Sequence, residues 1–261
     1  MLIKTAIAFA VCLLILAGLL ILGYANMEKL LFPSPKGNAN GNLKLKSGDA
    51  LLDAFFVEGT PGKEVILYSH GNGETLETMR SFSEELARCG YSCLAYDYAG
   101  YGASTGKAGE KQAYSDIEAA YRFLTEEKKI PPSQIVVMGY SVGGGPSCYL
   151  AEKYPVRALV LLGTFASATK VYFPAGLPFD RFKNAERIRR INIPLMLVHG
   201  TGDRVVPYRN SQQIARNSAS ALTVFYTLPG GSHGDAVRFI SQNPSLLTKF
   251  LESKLETAVG L

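Results

Sequence analysis

Ser141 stands in Gly139-Tyr140-Ser141-Val142-Gly143, between an apolar, β-branched run from Ile135 to Met138 and helix-forming residues from Ser147 to Glu152. A serine on so tight a strand-to-helix turn needs neighbours without bulk two residues away on either side, and both are glycine. That geometry pushes Oγ out at the carboxyl end of a strand, over a helix N-terminus whose free N–H groups favour negative charge. Taken alone, the pentapeptide also fits a glycine-rich turn with an incidental serine. The chemistry it offers is nucleophilic, and a serine hydroxyl needs a base to take its proton and a third group to orient that base.

The chain has three histidines. His70 and His199 each end a strand as His-Gly and read as structural residues tying loops together. His233 lies in Gly230-Gly231-Ser232-His233-Gly234, after the last strand and before the last helix, where an imidazole hangs over the sheet edge. It is the candidate general base. Asp203, on a turn just past the penultimate strand in His199-Gly200-Thr201-Gly202-Asp203, is the candidate orienting acid. Asp180 and Asp235 compete with it, but Asp180 lies in an insertion and Asp235 at a helix start, where aspartate is a common cap. Charge that develops on a carbonyl oxygen needs fixed donors. The N–H of Val142, next after the serine, is one, and Asn72, between Gly71 and Gly73, is the candidate for the second.

Stepping outward along the chain, these residues demand strands that end where they stand. Leu43 to Lys46 and Leu51 to Val57, around Ser47-Gly48-Asp49, predict an edge hairpin. Glu64 to Ser69, Tyr91 to Tyr96, Ile135 to Met138, Ala158 to Leu162, Ile193 to Val198 and Leu222 to Tyr226 predict further strands. Helical patterns fall after Leu76 and over 110–127, 147–152, 208–216 and 235–252. Alternation at this spacing implies an α/β fold, a mostly parallel sheet with helices on both faces. Ligands bind beyond the carboxyl ends of such strands, where every motif named here lies. Gly100 to Lys107 fails both phosphate-loop spacings, with Tyr101, Ala108 and Thr105 at positions those patterns reserve for other residues.

With 261 residues and a formal charge of only +5, spread along the chain, there is no case for a nucleic-acid partner. Cys12, Cys89, Cys93 and Cys148 lack metal or disulfide spacing, and no metal or other cofactor is expected. From Thr5 to Tyr24 no charge interrupts an apolar run long enough to cross a bilayer. The length favours a retained membrane anchor over a cleaved signal, for which Gly23-Tyr24-Ala25 is the candidate site. Lys4 before the run, against Glu28, Lys29 and Lys36 after it, leans towards a catalytic domain on the extracytoplasmic side. The expected organisation is an anchor over 1–26, a linker over 27–42 with Pro33, Pro35 and Gly37, and a catalytic domain over 43–261.

Together His70-Gly71-Asn72, Asp97-Tyr98-Ala99-Gly100-Tyr101-Gly102-Ala103-Ser104, Gly139 to Gly144 and His199 to Asp203 resemble the α/β-hydrolase superfamily. More narrowly, the chain resembles its single-pass, membrane-anchored serine hydrolases, a group that includes protein depalmitoylases and lysophospholipid lipases. Glu28-Lys29-Leu30-Leu31-Phe32-Pro33 is similar to that group's juxtamembrane stretch. The chain order Ser141, Asp203, His233 is also that of the superfamily. The resemblance implies Ser141 as nucleophile, Asp203 as acid and His233 as base. It departs at Ala99, where an arginine is frequent, and at Gly231-Ser232-His233, where the family has Gly-His.

The resemblance also places a short lid at about 164–192. Its apolar stretch from Val171 to Phe179 fits an acyl chain, or equally seals the lid onto the core. Arg181, Lys183, Arg187, Arg189 and Arg190 fit an anionic headgroup, or equally form a solvated face. The expected activity is hydrolysis of an ester or thioester on a small-molecule or acylated substrate. An aminopeptidase-like hydrolase on the same three residues, and a non-catalytic membrane-anchored binding module, are the alternatives.

Overall fold

A computed structural model describes residues 2–37, 41–172 and 180–253. Eight strands form one sheet in the order β1-β2-β4-β3-β5-β6-β7-β8, with β1 (Leu43–Ser47), β2 (Ala50–Val57), β3 (Val65–Ser69), β4 (Ser92–Tyr96), β5 (Ile135–Tyr140), β6 (Ala158–Leu162), β7 (Leu195–Gly200) and β8 (Thr223–Leu228). The β1–β2 hairpin and the β2–β4 pair are antiparallel, and all other pairs are parallel. Central strands are buried along their whole length, which is why β3 and β6 read as continuous apolar runs rather than alternating ones.

Successive side chains still point to opposite faces. Val65, Leu67, Ile135 and Val137 join one core with Ile117, Leu124, Leu150 and Ile214, whereas Ile66, Tyr68, Val136 and Met138 join the other with Leu76, Met79, Phe82 and Ile240. The helices after α1 (Leu2–Leu31) divide accordingly: α2 (Leu76–Arg88) covers the second face, and α3 (Glu110–Arg122) and α4 (Gly144–Lys153) cover the first. In the insertion, α5 (Ala168–Tyr172) and α6 (Asn184–Arg187) are short; α7 (Arg209–Asn217) returns to the first face, α8 (Asp235–Gln242) and α9 (Pro244–Glu252) to the second.

Two elements differ from the sequence reading. The pattern over 235–252 is two helices, because Pro244 supplies no N–H and Asn243 before it leaves helical geometry, at φ −131° and ψ 54°. The helix over 110–127 is α-helical only to Arg122 and closes with a wider π turn over Phe123–Glu127. The lid residues 173–179 lie outside the described residues.

Within α1, Phe9–Leu31 is long and apolar enough to cross a membrane, with mean hydropathy 2.3. No side chain from Phe9 to Gly23 is buried. The last turn behaves differently. Met27, Leu31 and Phe32 enter the first core, and the Phe32 ring meets Tyr98 edge-on at 6.0 Å, Tyr101 at 6.4 Å and Phe182 at 5.9 Å. Lys36 Nζ then donates to Gly100 O at 2.7 Å and Gly102 N to Pro35 O at 2.9 Å. The stretch expected to be a linker thus opens as helix and is fastened to the domain from Met27 to Lys36.

Candidate active site

β5 delivers Ser141 directly into a 3-10 turn, Ser141–Gly143, that leads into α4. Ser141 has φ +52°, a left-handed conformation that costs a residue with a Cβ on the order of 1–3 kcal/mol. The flanking glycines are sterically required. A Cβ on Gly139 would lie 2.5 Å from Gly143 O, and one on Gly143 would lie 2.0 Å from Ser69 O. Thr164 Oγ1 donates to Ser141 O at 2.7 Å and holds the turn from below.

The loops after β7 and β8 are laced together before either side chain meets the serine. Thr201 N donates to Leu228 O, Gly202 N to Gly231 O, and Gly230 N to Thr201 Oγ1. His233 then bridges the two remaining groups: Nε2 lies 3.0 Å from Ser141 Oγ and Nδ1 lies 2.7 Å from Asp203 Oδ2. The imidazole packs on Tyr140 at 5.0 Å between ring centroids.

Burial acts to raise the Asp203 pKa, but hydrogen bonds from His199, His233 and the Val206 N–H outweigh it and hold the carboxyl well below the usual range. Oδ1 accepts from the N–H groups of Val205 and Val206, both at 2.8 Å. An ionised Asp203 requires a proton on His233 Nδ1, which leaves the Nε2 lone pair facing the serine hydroxyl.

The loop after β3 is fixed by four contacts. Tyr98 Oη donates to His70 O at 2.8 Å, Tyr101 Oη to Asn72 O at 3.2 Å, and His70 Nδ1 to Gly71 O at 2.7 Å. The Gly71 N–H is taken by Glu74 Oε2 at 2.7 Å. Asn72 is therefore the next donor along the loop, and it lines one crevice with Ser141 and Val142. As the second residue of its turn, Val142 has an N–H without an intrahelical partner. Burial raises the Glu74 pKa, against the Gly71 N–H and the nearby His233.

The other candidates are used elsewhere. Asp235 Oδ2 accepts from Ser232 N and Ser232 Oγ, both at 2.7 Å, and Asp180 accepts from Thr169 and Arg181 within the insertion. His70 is fully buried, and burial pushes its pKa down to about 4. Of the five basic residues in the second half of the lid, Arg187 and Arg190 pair with Glu152, and Arg181 with Glu110 at 3.6 Å. That pairing favours the solvated-face reading over an anion site. Cys93 and Cys148 are buried, Cys89 is half-buried and all four cysteines are free. Among the described residues, no cluster of His, Cys, Asp or Glu has the makings of a metal site.

Two residues at the site escape the sequence reading. His199 Nε2 lies 2.8 Å from Val206 O and 3.1 Å from Asp203 Oδ2, so it carries a proton and shares it with the acid; Nδ1 accepts from Ser211 Oγ at 2.6 Å. The four-residue spacing of His199 and Asp203 past a strand end is the signal for this contact. Glu74, three residues after Gly71, reaches back like a capping side chain, and that spacing is its signal.

Sheet order, the strained serine turn and the Ser–His–Asp line together define an α/β-hydrolase architecture. The family model for the alpha/beta hydrolase fold matches residues 64–184. The human "Alpha/beta hydrolase domain-containing protein 17B" is 34% identical over 209 residues, covering 78% of this chain and 72% of that protein. The chain belongs to the alpha/beta hydrolase family, and it is a hydrolase. Among solved structures, Est1E from Butyrivibrio proteoclasticus, with ferulic acid bound, superposes at TM-score 0.67 and 17% identity over 81% of this chain and 100% of its own. The esterase Pf2001 of Pyrococcus furiosus does so at TM-score 0.66 and 20% identity, over 85% and 99%. At those identities the two structures bear on the fold alone.

Proposed function

We propose that the protein hydrolyses carboxylic esters or thioesters of an acyl group through a covalent acyl-enzyme on Ser141. The observation that carries this reading is His233 standing 3.0 Å from Ser141 Oγ and 2.7 Å from Asp203 Oδ2. As Ser141 Oγ bonds to the carbonyl carbon, its proton passes to His233 Nε2, and the imidazolium is stabilised by Asp203. The oxyanion is met by the N–H groups of Val142 and Asn72. His233 then protonates the departing alcohol or thiol as the bond to the carbonyl carbon breaks. Water, deprotonated by the same nitrogen, releases the carboxylic acid and restores the serine.

The crevice at Ser141 supports an acyl substrate. Beyond Asn72, Ser141 and Val142 its described lining includes Phe165, Ala168, Val171 and Val206, and no carboxylate to hold a free α-amine. An aminopeptidase needs such a group. We further propose that α1 anchors the domain to a membrane. A panel of chromogenic acyl esters and thioesters beside aminoacyl anilides tests the reading. Turnover of the acyl compounds that disappears in Ser141→Ala supports it, and turnover of the anilides alone contradicts it.

A further inference from the structure

The crevice at Ser141 has one wall that does not come from the hydrolase domain. Leu30 and Leu31, in the last turn of α1, line it beside Ser141, Val142 and Val205. Leu31 is buried, whereas Leu30 is 53% exposed and Val205, after the acid loop, is 56% exposed. Among the described residues, the large hydrophobics exposed outside the apolar run of α1 are Leu30, Leu51 and Val205. Two of these three stand on the rim of this single crevice, which gives it an apolar mouth.

The helix geometry says where that mouth is. The uncharged run from Thr5 to Tyr24 matches the hydrocarbon core in length, and Leu30 lies six residues beyond it, about 9 Å further along the axis at 1.5 Å per residue. That distance reaches only across the headgroup layer. Because Met27, Leu31 and Phe32 are packed into the core, and Pro35 and Lys36 are hydrogen-bonded to the loop after β4, the end of the helix is fixed beside the site. The last turn does carry a cation, Lys29, but it is exposed and does not line the crevice; the neighbouring position on the rim is Leu30.

We infer that the last turn of α1 is part of the substrate site: a bilayer-resident ester or thioester slides its acyl chain along α1, past Leu30 and Val205, and brings its reacting end into the crevice at Ser141. The helix is then a determinant of specificity as well as an anchor. The crevice beside the serine is small, about 40 Å³, so only the reacting ester end enters it while the rest of the acyl chain stays along α1 and in the hydrocarbon. This inference rests on the acyl-hydrolase reading given above.

The test uses the full chain reconstituted in phosphatidylcholine vesicles, with p-nitrophenyl acetate and p-nitrophenyl palmitate as probes and the ratio of their kcat/KM as the readout. Leu30→Lys and Val205→Lys place a charge on the rim from either side; both positions are exposed, and a lysine at the end of α1 suits the helix dipole. Leu51→Lys is the same change at an exposed leucine elsewhere. The palmitate-to-acetate ratio is expected to fall at least tenfold in both rim variants and to stay within twofold of the wild type in Leu51→Lys. A ratio within twofold of the wild type in the rim variants, with the wild type hydrolysing both esters, overturns the inference and leaves the acyl-hydrolase reading standing. An equal loss on both esters also overturns it, because Leu30 would then only support the fold. A wild type whose ester turnover equals that of Ser141→Ala removes the underlying reading and this inference with it.

Discussion

His199 Nε2 shares its proton with the oxygen of Asp203 that also receives His233: the two donors lie 3.1 and 2.7 Å from Oδ2. The acid is thereby held from both loops it joins. A hydrogen bond to a charged group contributes about 1.5–3 kcal/mol, and its loss also leaves Val206 O and Ser211 Oγ without their partner. His199→Ala is expected to lower kcat/KM roughly tenfold and to destabilise the fold by about 2 kcal/mol. Asp203 loses a donor to its charged form, so its carboxyl pKa rises. Carbon-13 NMR titration of the Asp203 carboxyl in both proteins checks the direction, which a loss of packing alone does not move.

The left-handed backbone at Ser141 predicts a stability difference between two inactive variants. Ser141→Gly relieves the strain at φ +52°, and Ser141→Ala keeps it. Glycine also loses more chain entropy on folding, so the net advantage is roughly 1 kcal/mol for Ser141→Gly. Denaturant midpoints of the two variants at one pH measure it.

Glu74 holds the loop that carries Asn72 by accepting the Gly71 N–H. Glu74→Ala leaves that N–H without its acceptor and lets the loop drift from the serine, and kcat is expected to fall about tenfold with little change in KM. Glu74→Gln keeps an acceptor oxygen at the same reach and restores most of the rate. Steady-state kinetics on a single ester separates the two terms.

A pH effect on stability follows from the buried pair behind that loop. Asp97, which accepts from the Leu76 N–H and lies 3.6 Å from His70 Nε2, is pushed up to about 7 by burial and the Asp53 carboxylate. Its stabilising contribution is full below the ordinary carboxyl pKa and is lost as pH rises through 7. His70, pushed down to about 4, has the opposite sign: its contribution is present above 6.5 and is lost as pH falls through 4. The two slopes oppose each other from pH 4 to 6.5, and above that only the Asp97 loss remains. Stability is expected to drop by about 1 kcal/mol from pH 6.5 to 8 in the wild type and to stay level in Asp97→Asn. Chemical denaturation across that range tests it.

The sheet is legible in the sequence because β3, β5 and β6 are short, apolar and closed by glycine or a charged loop. Ser141, Asp203 and His233 are legible for a related reason: each follows a strand, and parallel strands bring their carboxyl ends to one edge. Asn243-Pro244 carries a local break that periodicity overlooks, since Leu246, Leu247 and Phe250 continue an apolar pattern across it. His199 and Glu74 carry local spacing signals, four residues to Asp203 and three back to Gly71, but each signal gains meaning only once Asp203 and the loop after β3 are brought to the site. The packing of Phe32 against Tyr98, Tyr101 and Phe182 is least legible, for it joins three segments far apart in the chain. Prolines and a glycine around it read as a linker leaving the membrane.

The most direct measurement is labelling of the full chain in detergent by a fluorophosphonate, which bonds to an activated serine and releases fluoride. The wild type is expected to label rapidly, Ser141→Ala and His233→Ala not at all, and Asp203→Asn far more slowly. A folded wild type that stays unlabelled, or label that persists in Ser141→Ala, contradicts acyl transfer at Ser141.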